Sequence, residues 1–308
     1  RKRKVPLEAP FYMNLYKVYP RDNEMEIHMI ELRGKAVADA HKAILQEKMA
    51  GLEPGTITMA VLLVGDDHGA NMYADFMEKT AKNFGYGFVR TQLPSTATHE
   101  EVYDALMALN NDDAVHGILP LMPMPKQIDT EQLIDALDST KDIDGLTTYN
   151  IGLVMAGKGG FAPCTAKACL AILDHYDIPL EGKHVVVVGR SQVIGKPVAL
   201  MALERHATVS ICHSRTADLA YHVQQADIVI AAAGRAHMIT ADMVKAGAVV
   251  IDVGINELDG KTVGDVDYEA VSHVASAMTP VPGGVGSVTT TMMLEAVYEA
   301  YHARNVNR

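Results

Sequence analysis

The run Val185-Val186-Val187-Val188-Gly189-Arg190-Ser191-Gln192-Val193-Ile194-Gly195-Lys196-Pro197 places a glycine turn between a β-branched stretch and helix-forming residues. Such a turn suits a dinucleotide phosphate. Gly189 can take backbone angles closed to other residues, and Gly195 lets a helix start close to the strand, so that main-chain N–H groups face the anion. The glycine spacing differs from G-x-G-x-x-G, and on its own the turn is equally compatible with plain parallel-sheet packing. The next strand ends in Cys212-His213-Ser214-Arg215-Thr216, where a site for NAD would place an acid to hold the ribose hydroxyls. A cation there favours a 2′-phosphate. Arg190 and Arg215, with Ser214 as a further donor, therefore point to NADP rather than NAD.

The elements that must carry these residues alternate. Helical patterns at Ala36–Met49, Asn71–Phe84, Glu101–Leu109 and Thr130–Leu137 separate β-rich runs at Ile57–Val64, Gly87–Gln92 and Gly117–Leu119. A second unit begins near Asn150, with a helix at Thr165–Tyr176 and strands at His184–Val188, Thr208–Cys212, Ile228–Ala232 and Ala248–Val253. This predicts an α/β fold of two domains, each a parallel sheet covered by helices, the second Rossmann-like. No solenoid repeat is visible.

Composition narrows the function classes. The chain has 308 residues, enough for two cores, and no apolar run approaches the ~20 residues of a membrane-spanning helix. A formal charge of -11 argues against general nucleic acid binding. Cys164, Cys169 and Cys212 have neither metal-ligand spacing nor the even count of a disulfide framework, so no metal is expected and the cytoplasm is the expected compartment. Residues 1–28, which begin with the basic run Arg1-Lys2-Arg3-Lys4, read as an appendage or expression remnant rather than part of the fold.

Eight stretches in series resemble the bifunctional methylenetetrahydrofolate dehydrogenase/cyclohydrolases. They are Val64-Gly65-Asp66-Asp67, Lys141-Asp142-Ile143-Asp144-Gly145, Pro163-Cys164-Thr165, Gly189-Arg190-Ser191, Cys212 to Thr216, Val253-Gly254-Ile255-Asn256, Gly264-Asp265-Val266-Asp267 and Thr279-Pro280-Val281-Pro282-Gly283-Gly284-Val285-Gly286. The resemblance implies a folate-binding domain over 29–149 completed by 287–308, an NADP domain over 150–286, an active cleft between the two, and a homodimer. It implies that Tyr73 stacks on the pterin and Asp144 binds its amino and ring nitrogens, with Pro282, Gly283 and Gly284 also touching substrate. Thr165, Ser191, His213, Gly234 and Ile255 join Gly189, Arg190, Gly195, Ser214 and Arg215 at the cofactor.

The chain departs from the family where water would attack. The family helix carries Ser-x-x-Tyr-x-x-x-Lys, and here Ala70, Tyr73 and Met77 occupy those positions. The i, i+4 spacing puts tyrosine and lysine on one helix face, and Met77 cannot carry a proton. Lys79, two positions after Met77, lies more than half a turn away from the required direction at ~100° per residue. The family's Gln-Leu-Pro-Leu-Pro loop reads Leu121-Met122-Pro123-Met124-Pro125, so its glutamine is also gone. The expectation is an NADP-dependent methylenetetrahydrofolate dehydrogenase with weak or absent cyclohydrolase activity. A non-catalytic folate or NADP binder, or different one-carbon chemistry in the same cleft, stays open.

Overall fold

A computed structural model describes residues 29–306, so the expectation for residues 1–28 lies outside the described part. In chain order the elements are β1 (Ile30–Glu31), α1 (Gly34–Met49), β2 (Thr58–Val64), α2 (His68–Asn83), β3 (Gly87–Leu93), α3 (His99–Asn111), β4 (Gly117–Pro120), α4 (Thr130–Asp135), α5 (Thr148–Met155) and α6 (Cys164–His175). There follow β5 (His184–Val188), α7 (Gly195–Glu204), β6 (Thr208–Cys212), α8 (Leu219–Gln224), β7 (Ile228–Ala231), a 3-10 turn at Ala241–Met243, β8 (Val249–Asp252), β9 (Asn256–Leu258), β10 (Lys261–Val263), α9 (Tyr268–Ser272), β11 (Ala277–Met278) and α10 (Val285–Val306).

Two parallel sheets result, ordered β3-β2-β4 and β1-β11-β8-β7-β5-β6, with β9 and β10 as a separate antiparallel hairpin. The central strands are nearly continuous Val, Ile and Leu and are buried on both faces, as helix-covered parallel strands must be. In each sheet the chain runs from a central strand to one neighbour and then returns to the other side. Crevices therefore open beyond the carboxyl ends of β2/β4 and of β5/β7, where such sheets bind ligands.

Local signals fix the helix starts that border these crevices. The Asp67 carboxylate accepts the Ala70 N–H at 2.8 Å and starts α2, which carries Tyr73 and Met77. Thr98 and Glu101 form a reciprocal capping box on α3. Lys141 is wholly buried, and its ammonium donates to the carbonyls of Leu109, Asn110 and Asp112 at 2.7–3.0 Å. It thereby satisfies the orphan carbonyls at the end of α3 and fixes the segment that leads to Asp144.

The expected division of the chain is redrawn at its edges. Residues 29–149 were expected to form the first domain, but β1 pairs in parallel with β11 at the edge of the six-stranded sheet. The 149/150 boundary falls inside α5, whose N-cap is Thr147. The helix expected to complete the first domain from 287 starts at Val285. It packs on α6 and α1 and reaches β4. One buried apolar cluster includes Leu63 and Met77 from the first unit, Val187 and Ile251 from the second, and Ile172 and Val297 from α6 and α10. The two sheets share a core through these two helices.

Candidate functional site

Met77, Leu121 and Cys164 belong to that shared core, and the half-buried Tyr73 packs against it. Met77 is 0% exposed and Leu121 5%, so the positions expected to depart from the family pattern hold apolar side chains inside the protein. Lys79 points to solvent on the far side of α2, as its spacing predicts. The Tyr73 hydroxyl donates to the Met293 sulfur of α10 at 3.2 Å. Burial, reinforced by the charge of Asp144, pushes the Tyr73 phenol far above its usual range, so it remains a protonated donor and cannot act as a base. Met293 is a site residue that the sequence did not reveal, because a methionine on a helix face reads as packing.

Asp144 follows the buried loop acid Asp142. The Asp142 carboxylate accepts the N–H groups of Leu146 and Thr147, the Thr147 hydroxyl and the Asn150 amide. Four donors to one carboxylate make this loop rigid. Gly145 has φ +59°, and a side chain there would collide with the Phe161 carbonyl. Asp144 itself is half-buried, and its Oδ1 accepts the Cys164 N–H at 2.8 Å. Burial pushes its carboxyl up to about 6, against the opposing effect of that hydrogen bond. The Cys164 thiol donates to the Ile143 carbonyl at 3.3 Å, and burial drives its pKa well up, so it packs and is no nucleophile.

At the second crevice, Gly189 follows β5 with φ +138°, and a Cβ there would lie 2.1 Å from the Ala232 carbonyl oxygen. Gly195 sits against the backbone of Gly189, so α7 begins directly over the strand end. Here the structure refines one expectation. The N–H groups of Ile194 and Gly195 already donate to Ser191 Oγ, at 3.1 and 3.3 Å, and Lys196 N–H to the Ser191 carbonyl. Ser191 caps α7 from within the turn. On the other flank, His213 Nδ1 accepts the Arg215 N–H, and the Thr216 hydroxyl accepts that of His213. This tight turn leaves Ser214 and Arg215 exposed beside the exposed Arg190. No carboxylate is present at the end of β6 itself. The glycine approach and the exposed cations fit a phosphorylated dinucleotide.

Gly234, at φ +65°, is exposed past β7, and Ile255 is 73% exposed past β8. A Cβ on Gly286 would meet Ile255 Cδ1 at 4.0 Å, which places the Ile255 loop at the start of α10. Just before that helix, Pro282 and Gly283 are exposed, and Gly34 lies so close to Gly284 that a Cβ would fall 2.1 Å from its carbonyl oxygen. The expected substrate loop and cofactor loop therefore meet at α10, which also brings Met293 to Tyr73. Thr165 is the second residue of α6, half-buried and immediately after the Asp144-bound amide.

Comparison with known proteins agrees with the two-unit α/β fold. The catalytic domain of tetrahydrofolate dehydrogenase/cyclohydrolase matches residues 32–144, and the NAD(P)-binding domain of the same family matches 163–305. The bifunctional protein FolD of Geotalea daltonii is 46% identical over 275 residues, 89% of this chain and 96% of that one. The crystal structure of the bifunctional enzyme FolD from Campylobacter jejuni superposes with a TM-score of 0.86 at 41% identity, covering 90% of this chain and 99% of the other. The Trypanosoma brucei dehydrogenase-cyclohydrolase, solved with NADP and an inhibitor, gives 0.85 at 32% identity, covering 91% and 99%.

Proposed function

Since the chain belongs to the tetrahydrofolate dehydrogenase/cyclohydrolase family, we propose that it oxidises 5,10-methylenetetrahydrofolate with NADP and hydrolyses the methenyl product weakly or not at all. The dehydrogenase part rests on family membership and on the layout of both crevices. The departure from the bifunctional relatives rests on one observation: Met77 and Leu121 are buried apolar residues where a proton carrier and its polar partner are needed. A homodimer, carried by the resemblance, and a cytoplasmic location, carried by the three free cysteines, are part of the same proposal.

When bound, the nicotinamide supplies the hydride acceptor, and Gly189, Arg190, Ser214, Arg215, Gly234 and Ile255 would hold the dinucleotide. The chain's own task is mainly positional. Asp144 grips the pterin's amino and ring nitrogens while Tyr73 lies along the ring. Loss of hydride leaves a cation, and the Asp144 carboxylate in its low-dielectric setting favours that charge. Met77, Leu121 and Met293 keep the surroundings dry, which assists hydride transfer and starves water attack. Hydrolysis needs a group to take a proton from water. Tyr73 is held protonated and Cys164 is buried as a thiol, so neither does this.

The test is absorbance of purified protein with methylenetetrahydrofolate and NADP, with NAD in a parallel cuvette. NADPH formation with accumulating methenyl product is the expected result. Methenyl hydrolysis well above the uncatalysed rate would overturn the loss of cyclohydrolase activity, and silence with both cofactors would overturn the dehydrogenase assignment.

A further inference from the structure

Two carboxylates lie wholly inside the NADP-binding unit, behind the loops that carry Gly234 and Ile255. Asp265 is 0% exposed and Asp252 3%. Asp265 Oδ2 accepts the N–H groups of Ala233 and Gly234, and its Oδ1 accepts those of Arg235 and the Asn256 side-chain amide, at 2.5–2.9 Å. Three successive amides converging on one anion form a nest of the kind that elsewhere binds phosphate. Here the anion is the chain's own. These amides are therefore spent on fixing the loop, and the phosphates fall to Arg190, Ser214 and Arg215.

Asp252 repeats the arrangement one layer further back. It ends β8 and accepts the N–H groups of Gly254, Asp265 and Val266, each at 3.0 Å. Its own N–H donates to the buried Thr279 hydroxyl at 2.7 Å, three residues before Pro282. The glycines between them leave no slack. A Cβ on Gly264 would lie 1.8 Å from Asp252 Oδ2, and one on Gly254 2.2 Å from Asp265 Oδ1. A relay thus runs from the Thr279–Gly284 loop through Asp252 and Asp265 to Gly234 on one side and to Asn256, next to Ile255, on the other.

We propose that Asp265 and Asp252 are positioning residues for the dinucleotide site, holding the 233–235 and 254–256 loops in register against each other so that Gly234 and Ile255 frame one ligand. Neither carboxylate touches the ligand. Charge-assisted bonds to six backbone amides give the loops a fixed shape before binding, and that preorganisation is what affinity for the dinucleotide draws on. The inference rests on the NADP reading of this crevice.

The experiment is titration of NADPH by its own fluorescence on binding, together with KM for NADP and for methylenetetrahydrofolate, in Asp265→Ala, Asp265→Asn and the milder Asn256→Ala. Expected are losses of NADPH affinity of about 30-fold or more for Asp265→Ala, about tenfold for Asp265→Asn and about threefold for Asn256→Ala. KM for the folate should stay within twofold. A merely structural role would lower the melting temperature and move both KM values together, or neither. NADPH affinity unchanged in folded Asp265→Asn and Asn256→Ala, or parallel loss of both substrates, overturns the inference. If the unaltered protein binds no NADPH, the NADP reading itself falls and this inference falls with it.

Discussion

The Cys164 N–H and the Asp144 carboxylate, 2.8 Å apart, join the first residue of α6 to the last acid of the first family segment. The bond holds Asp144 in place, yet burial still leaves its carboxyl titrating at about 6. Since the unfolded value is near 3.8, the folded state binds the extra proton between about pH 4 and 6. Its contribution to stability therefore falls as pH rises through that window, by up to about 3 kcal/mol on linkage grounds. Pterin binding needs the ionised form and moves the opposite way. We expect kcat/KM for the folate to rise with pH through about 6, and Asp144→Asn to remove that rise while lowering kcat/KM about 100-fold. A pH profile of both proteins checks this; an unchanged inflection in the variant would assign it elsewhere.

Restoring polarity should restore hydrolysis. Met77→Lys alone inserts an ammonium among apolar neighbours and should cost several kcal/mol of stability. Met77→Lys combined with Leu121→Gln supplies a partner, and we expect methenyl hydrolysis to rise at least tenfold over the parent. Stopped-flow decay of the methenyl absorbance measures it. No gain in a folded double variant would mean that the pocket, and not only its polarity, has changed.

Lys141 is structural although it lies three residues from Asp144. Lys141→Met should cost about 3 kcal/mol in urea unfolding, because the carbonyls of Leu109, Asn110 and Asp112, at least partly buried, all lose their donor. The same variant should keep the parent's preference for NADP over NAD. A cost below about 0.5 kcal/mol would contradict the bonding described for the end of α3.

Cofactor choice should reside in the turn after β6. Arg215→Ala removes an exposed cation without disturbing the core, and the kcat/KM ratio of NADP to NAD should fall about tenfold, most strongly at low salt. Equal losses for the two cofactors would place the 2′-phosphate elsewhere.

Elements buried by their own sequence neighbourhood were legible in advance. β5 and β6 lie where their β-branched runs placed them, and α1, α2 and α3 differ only by a turn or less at their ends. The short pieces were not legible. β1 and β11 have two residues each and exist because they pair with strands far away in sequence, so no local period announces them. α5 has eight residues, too few to show a face. At the candidate site, Tyr73, Asp144, Gly189 and Arg215 were named from motifs. Met293, Asp252 and Asp265 act through partners that only the fold brings near, and composition carries no trace of those pairings.

The pairing of Ile30–Glu31 with Ala277–Met278 closes nearly the whole chain into one ring. On a ribosome the first described strand must wait until residue 278 has emerged, while β2, β3 and β4 can assemble alone. The first sheet should therefore form early and locally. The six-stranded sheet gains its final edge, and Gly34 its seat against Gly284, only once residues 277–284 have emerged. Because α10 follows both sheets in the chain and completes both the Tyr73 pocket and the shared core, a nascent or truncated chain lacking it holds two half-built crevices. Ligand binding then reports the arrival of α10.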